Sequence, residues 1–187
     1  MLKQLLIACV VGLGFAAGAN AASVRPMLLD EIIDTSAVAF QGTCVANRTE
    51  RDAQTNFIVT YTTFEVRDVI KGSVQATHVI KQIGGSLASS GETFQVKGVP
   101  KFAVGEDYVV FLAGVSSAGF SSPIGLGQGQ FQVLQKGAGK VINSGRDLST
   151  LTARMPGSTM SATEIESGEL GLEKFKQMAR KHAANLK

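Results

Sequence analysis

The sequence predicts a mainly β protein, a small antiparallel barrel or sandwich with a short helix before it and a longer helix after it. Three observations lead to this fold class. Five or six segments alternate apolar and polar side chains and are separated by glycine-containing turns. These segments are clustered rather than interleaved with helical segments, which argues against a doubly wound parallel sheet. Helical periodicity is confined to two segments near the ends of the globular part.

The first 21 residues have the pattern of a secretory signal peptide. Lys3 precedes a run of apolar and small residues, and small side chains surround a cleavage site between Ala21 and Ala22. The run is too short for a transmembrane helix. Cys9 comes early and is followed by a long apolar run, so we take it as an ordinary residue of the signal, with a lipoprotein cut at Cys9 as a minor alternative. We therefore expect an exported protein, periplasmic or extracellular, with no membrane span after signal removal.

The remaining chain has the size of one domain with a core of its own. We expect residues 22–150 to form the β domain, and residues 151–187 to form a connecting arm and an amphipathic helix. The 187-residue chain carries 18 Lys and Arg against 15 Asp and Glu, a net charge of +3, which is too even for an obligate nucleic-acid binder. After signal removal only Cys44 remains, so no internal disulfide can form.

The predicted elements follow one another in a simple order. Met27, Leu28, Ile32 and Ile33 recur at helical spacing and predict a short first helix. Strands are then predicted at 37–47, 57–70, 77–83, 108–112, 125–134 and 141–142. Gly42 interrupts the first of these and indicates a bend or bulge. The segment 86–104 is predicted to be an irregular loop that holds at most one short hairpin.

The last predicted element is an amphipathic helix. Ser161 and Glu164 have the spacing of a capping box, although the helix is firmly indicated only from about Leu170. Its apolar stripe consists of Leu172, Phe175, Met178, Ala179, His182 and Leu186. Its basic side chains are expected in solvent near the negative end of the helix: Lys174, Lys176, Arg180 and Lys181.

Three segments carry a resemblance to known proteins. Residues 27–45, 61–72 and 102–112 resemble the leader helix, the strand with a Lys-Gly turn, and the glycine–acidic–apolar strand unit of uncharacterised exported bacterial proteins. Over residues 27–135 the pattern is similar to the OB-like barrel of netrin-like domains, which include the tissue inhibitors of metalloproteinases. The resemblance implies an OB-like barrel of five or six strands. It implies no inhibition of proteases, because those inhibitors use a cysteine at the mature N-terminus and this chain has none near Ala22.

The long irregular loop contains the candidate binding residues. Phe94, Lys97, Lys101 and Phe102 combine apolar and basic side chains on a segment that a rigid barrel would present. The alternative is that Phe94 and Phe102 fold back and close one end of the barrel. From this loop we predict a non-enzymatic binding module that recognises a protein or an envelope component.

A thiol-dependent envelope enzyme is the alternative function. Cys44 could serve as its nucleophile if His78 or His182 lay within hydrogen-bond reach. No motif places a third group to orient such a base, and an unpaired cysteine is most often a buried core residue. A further hypothesis is structural: the C-terminal helix could dock on a second copy and form a dimer, so the sequence leaves the oligomeric state open.

Several other site classes are excluded by the residue pattern. Two histidines about a hundred residues apart cannot form a zinc site of the usual kinds, and no carboxylate loop for calcium is present. The glycine run 125–129 precedes a strand, whereas a phosphate-binding loop precedes a helix. We therefore predict no metal, no cofactor and no nucleic-acid partner.

Overall fold

The computed structural model describes residues 24–155 and 169–186, together with residues 157, 161 and 164. The signal peptide and its cleavage site at Ala21 and Ala22 lie outside the described residues. The described elements are α1 (Leu29–Thr35), β1 (Val38–Arg51), β2 (Ile58–Lys71), β3 (Thr77–Ile83), β4 (Gly85–Ser86), β5 (Thr93–Phe94), β6 (Asp107–Leu112), β7 (Gln130–Lys136), β8 (Gly139–Asn143), α2 (Leu148–Leu151), β9 (Leu170–Gly171) and α3 (Leu172–Ala184). None of the helices in the described part is long and apolar enough to cross a membrane.

Seven strands form one antiparallel sheet, which confirms the mainly β prediction. Their order is β3-β2-β1-β6-β7-β8-β9, and β4 pairs with β5 in a separate small hairpin. No pairing between described strands connects β3 back to the far side of the sheet, so the sheet is open. The coarser prediction of an antiparallel β fold with a helix at each end holds, whereas a closed barrel is not observed.

β1 is longer than the sequence predicts. The predicted strand ends at residue 47, before the polar segment from Arg48 to Arg51. This segment continues the strand because β2 provides a partner along its full length. Arg48 pairs with Tyr61, and its guanidinium lies 4.7 Å from the centre of the Tyr61 ring. Register shifts interrupt the β1–β2 pairing, one of them at Gly42 where the sequence predicts a bend. A side chain at Gly42 would approach the Glu65 carbonyl oxygen to 2.9 Å.

The glycine run 125–129 is a turn and not the start of a strand. Gly125 and Leu126 both have positive φ angles, of 61° and 66°, which an extended strand does not allow. Gly129 lies so close to its neighbours that a Cβ atom would be 2.7 Å from the Phe111 carbonyl oxygen. The strand predicted from residue 125 therefore begins only at Gln130, and the glycines provide the close backbone approach that the pattern indicates.

The two faces of the sheet bury two separate apolar clusters. Along β6 successive side chains alternate between them, since Val109 and Phe111 belong to one cluster and Tyr108 and Val110 to the other. The first cluster lies under α1, α2 and α3, and includes Ile32, Phe131, Ile142, Leu151 and Phe175. The second lies on the opposite face and consists of Phe40, Cys44, Phe64, Ile80, Phe102, Tyr108, Val110 and Leu112.

α3 docks on the sheet of its own chain through its apolar stripe. Leu172, Phe175, Met178 and Ala179 are buried there, as predicted, whereas Leu186 is exposed. The short helix α2 lies between β8 and α3, at the predicted boundary between the β domain and the arm, and the sequence pattern did not reveal it. The predicted capping box forms, with Ser161 and Glu164 exchanging hydrogen bonds of 2.7 and 3.2 Å between backbone N–H groups and side-chain oxygens.

The prediction that all basic side chains of α3 are solvated is wrong for Lys176. This lysine is buried, and its Nζ donates to Asp68 Oδ2 at 2.8 Å and to Gln41 Oε1 at 3.0 Å. Arg180 contacts the same carboxylate. Burial by itself raises the pKa of Asp68, but the hydrogen bonds from Lys176 and Arg180 outweigh this effect and hold the pKa below its usual value. Lys176 and Arg180 thus attach α3 to Gln41 of β1 and Asp68 of β2.

Candidate ligand-binding cleft

A cleft of about 430 Å³ lies between the β1–β2–β3 part of the sheet and the loop that follows β5. Its volume is in the range typical of small-ligand sites. The cleft has a floor of strand residues and a wall of loop residues. The floor comprises Asn47, Thr49, Thr60, Thr62, Gln82 and Ile83, and the wall comprises Gly84, Gly85, Ser86, Phe94, Gln95, Val96, Lys97, Gly98, Val99, Pro100, Lys101 and Phe102.

The floor continues the face of the sheet that carries the second apolar cluster. Cys44 pairs with Phe64, and after a register shift Asn47 pairs with Thr62 and Thr49 with Thr60. The side chains on this face therefore change from apolar to hydroxyl and amide as β1 passes its register shift. The polar floor is thus adjacent to the buried core and belongs to the same rigid strands.

Hydrogen bonds hold the floor side chains in fixed positions. Thr62 Oγ1 donates to Asn47 Oδ1 at 2.7 Å, and Asn47 Nδ2 donates to the Phe102 carbonyl oxygen at 2.7 Å. Thr60 Oγ1 donates to the Gly84 carbonyl oxygen at 2.7 Å and lies 3.0 Å from Thr49 Oγ1. The two sets of bonds join the floor to the loop at both ends of the cleft.

Two glycines let the chain cross the floor closely. Gly84 and Gly85 have φ angles of 99° and 144°, values that favour glycine. A Cβ atom at Gly85 would lie only 2.5 Å from atoms of Thr49 and Thr60. The Gly-Gly pair, which the sequence marks as the end of a strand, is therefore what brings the β4–β5 hairpin against the floor.

The four predicted binding residues all line this cleft, but their environments differ. Phe94 is 37% exposed and stacks on Phe57, with ring centroids 6.2 Å apart. Phe102 is only 4% exposed, and its ring packs edge-on against Phe64. The sequence allowed both rings to be surface binding residues or both to fold back into the core. The structure shows one of each, because Phe102 is buried in the core and Phe94 remains at the surface.

Lys97 and Lys101 are exposed side chains of the wall. Neither makes an ion pair or a side-chain hydrogen bond with any residue that the structure describes. No Asp or Glu lines the cleft. The cleft therefore combines a polar uncharged floor, an exposed aromatic ring and two cations without a carboxylate partner.

Sequence reasoning missed the floor residues. Thr60 and Thr62 share a predicted strand face with Ile58 and Phe64, and this substitution of hydroxyls for apolar side chains on a core face was a usable signal. Gln82 gave no such signal. It is 3% exposed, and only the pairing of β3 with β2 places it beside Thr60.

The surroundings of Cys44 are those of a packed core residue. The side chain is fully buried, and burial raises the pKa of its thiol. The nearest polar partners are Asn47 Oδ1 at 3.9 Å and the Ala46 carbonyl oxygen at 4.0 Å. His78 lies two strands away, with Phe64 between it and Cys44.

The second histidine is also engaged elsewhere, because His182 Nε2 lies 2.7 Å from Asp34 Oδ1. No imidazole hydrogen-bonds the thiol within the described ranges, so the pairing that a nucleophilic cysteine needs is not formed there. Among these residues there is also no group of three or more His, Cys, Asp or Glu side chains that could bind a metal ion.

A second, more polar cavity lies on the other face of β2 and β3. It is lined by Asp52, Tyr61 and Lys81, and by the loop around Ala118. Lys81 Nζ lies 2.6 Å from Asp52 Oδ1, and both side chains are buried. The hydrogen bond from Lys81, followed by that from Thr55, lowers the pKa of Asp52 to about 2. This ion pair links the β1–β2 turn to β3 and leaves no free charge in the cavity.

The chain matches no protein-family model, and no curated protein is significantly similar to it in sequence.

Proposed function

We propose that this protein is an exported, non-enzymatic binding domain that holds a protein or envelope component in the cleft formed by residues 94–102 and the floor of β1, β2 and β3. The observation that carries the proposal is the composition of the cleft wall. Phe94 keeps a third of its surface in solvent beside two lysines without ion pairs, although the neighbouring Phe102 is buried in the core. Exposed aromatic and basic side chains around a preformed cleft are typical of recognition sites.

The strand pairing is the basis for a finer proposal about the fold. β1 pairs with both β2 and β6 and bends at register shifts, as a strand shared by both halves of an OB-like barrel would. We propose that the domain is an incomplete barrel of this kind.

Export itself is tested separately by N-terminal sequencing of the protein recovered outside the cytoplasm, which should begin at Ala22.

The binding function is tested by crosslinking in living cells. A photoreactive phenylalanine analogue replaces Phe94 in one strain and Val115 in another, because Val115 is 70% exposed and does not line the cleft. We expect adducts of discrete mass from the Phe94 position and none from Val115. Adducts of the same masses at both positions, or none at Phe94, would refute a binding site in this cleft.

A further inference from the structure

We infer that the ligand of the cleft is a carboxylate-bearing oligosaccharide. This inference rests on the proposed binding function and adds the chemical class of the ligand. Three features of the described residues lead to it. They are the two lysines of the wall, the side-chain amide oxygen of Gln82, which accepts no hydrogen bond from the described residues, and a floor that presents side chains rather than free backbone groups.

The cations of the wall are exceptional in this molecule. Across residues 24–155 and 169–186, every lysine and arginine makes an ion pair or a hydrogen bond to a carbonyl group, except Lys97, Lys101 and Lys181. Two of these three lie on the cleft wall, four positions apart in sequence. Because no carboxylate of the described chain neutralises them, they are suited to bind the carboxylates of a ligand.

The amide of Gln82 provides a hydrogen-bonding group that the protein does not satisfy. Gln82 Nε2 makes one long hydrogen bond, 3.4 Å, to the Pro100 carbonyl oxygen, and Oε1 accepts none from the described residues. Among the described residues, Arg146 Nη1 is the only side-chain nitrogen or oxygen atom that has neither a hydrogen-bond partner nor contact with solvent. Gln82 Oε1 has no partner either, so it must be accessible to solvent. Gln82 is otherwise buried and lines the cleft, where a ligand hydroxyl could donate to Oε1.

The floor favours a saccharide over a peptide. Proteins commonly bind extended peptides by adding them to a free strand edge. At the centre of the floor both edges of β2 are paired, with β1 and β3, so a ligand above β2 meets side chains and not free backbone groups. The floor offers oxygen acceptors instead. The threonine hydroxyls use their single protons in bonds within the protein, so the lone pairs they keep, together with Gln82 Oε1, can accept hydrogen bonds from sugar hydroxyls. The exposed face of Phe94 can pack against the C–H groups of a sugar ring, as Phe57 already covers its other side.

The inference is tested by titrating three probes into the ¹⁵N-labelled protein and following amide shifts. The probes are trigalacturonate, the neutral maltotriose, and triglutamate with blocked ends, which carries the same number of carboxylates as trigalacturonate. We expect trigalacturonate to bind and to shift the amides of Gln82 and residues 94–102. Maltotriose and triglutamate should bind more weakly, since the first lacks the carboxylates and the second the sugar hydroxyls.

Three lysine variants show whether the wall provides the charge. Lys97→Gln and Lys101→Gln should each weaken trigalacturonate binding about two- to fivefold, the effect of one exposed ion pair. Lys181→Gln removes the same charge from a lysine that is also unpaired but lies on α3, and should leave the affinity unchanged. Added salt should lower the affinity of the wild type more than that of the wall variants.

Each contrary result has a definite meaning. Triglutamate that binds as tightly as trigalacturonate would assign the cleft to acidic peptides and overturn the inference. An equal loss in Lys181→Gln would show attraction to net charge alone, which also overturns it. If no probe binds but the Phe94 position still gives crosslinks in cells, the ligand class is wrong while the binding function stands.

Discussion

Replacement of Phe175 tests how α3 is held on the sheet. The ring is fully buried in the first apolar cluster, with its centroid 4.9 Å from that of Phe131 and 6.2 Å from that of Phe111. Phe175→Ala removes these contacts and leaves a cavity between helix and sheet. Substitutions of this kind cost about 3–5 kcal/mol of unfolding free energy, which is a large part of the total stability of a typical domain.

Urea unfolding followed by far-ultraviolet circular dichroism measures this loss, since the chain has no Trp and only two Tyr for fluorescence. With a slope of about 2 kcal/mol per molar urea, the midpoint should fall by about 1.5–2.5 M. Leu186→Ala is the matched control, because Leu186 follows α3 but is 47% exposed, and it should change the free energy of unfolding by less than about 0.5 kcal/mol.

Two results would refute this reasoning. A loss below about 1 kcal/mol for Phe175→Ala would mean that the helix contributes little to the fold. A midpoint that rises with protein concentration would mean that the folded protein associates with a second copy, as the dimer hypothesis requires. Combining Phe175→Ala with Phe131→Ala should give a loss smaller than the sum of the two single losses, because the two rings share one contact.

Three further predictions concern the ion pair, the glycine hairpin and the thiol. The hydrogen bond from Lys81 lowers the pKa of the Asp52 carboxylate to about 2. The carboxylate should therefore stabilise the fold fully above about pH 4 and lose that effect as the pH falls towards 2. The urea midpoints at about pH 5 and about pH 2.5 should differ more in the wild type than in Asp52→Asn. Gly85→Ala should lower the urea midpoint more than Gly91→Ala, because both glycines have positive φ but only Gly85 leaves no room for a Cβ atom. In a Cys9→Ser background, Cys44 should react with iodoacetamide only after denaturation, because it is buried and its thiol pKa is raised.

Each of these has a clear contrary outcome. An unchanged pH dependence in Asp52→Asn would mean that other carboxylates cause the acid sensitivity. Equal midpoints for Gly85→Ala and Gly91→Ala would show that the hairpin can move away from the floor. Rapid labelling of native Cys44 at neutral pH would restore the thiol-enzyme alternative.

Period-two alternation was sufficient to locate most strands of the sheet. β2, β3 and β6 lie within a residue of the predicted positions, because each carries a strong apolar alternation or a continuous apolar run. The polar end of β1 was not predicted. Residues Arg48 to Arg51 are in the strand because they pair with β2, and the alternation of apolar and polar residues within the segment itself does not indicate this pairing. Gln130 begins β7 later than expected because the glycines before it have turn conformations that composition alone does not define.

The candidate site was only half accessible from the sequence. The loop residues were found because an irregular segment with mixed apolar and basic side chains stands out in a strand-rich chain. Gln82 of the floor was not found, and outside the site the burial of Lys176 was not found either, because the burial of both polar residues depends on the element packed against them. Lys176 in particular follows the general rule for a solvated lysine until Asp68 and Gln41 are brought to it across more than a hundred residues.

The register shift between Cys44 and Ala46 divides β1 into a part in the centre of the sheet and a part that carries the cleft floor. Before it, β1 is held by hydrogen bonds on both edges, from β2 and from β6; beyond it, β1 keeps only β2 and carries the cleft floor. The part of β1 that carries the floor is therefore paired on one edge only, whereas the part before the register shift is paired on both edges. Amide hydrogen exchange along this single strand should be slow up to the kink and faster after it, and an occupant of the cleft would slow only the outer part.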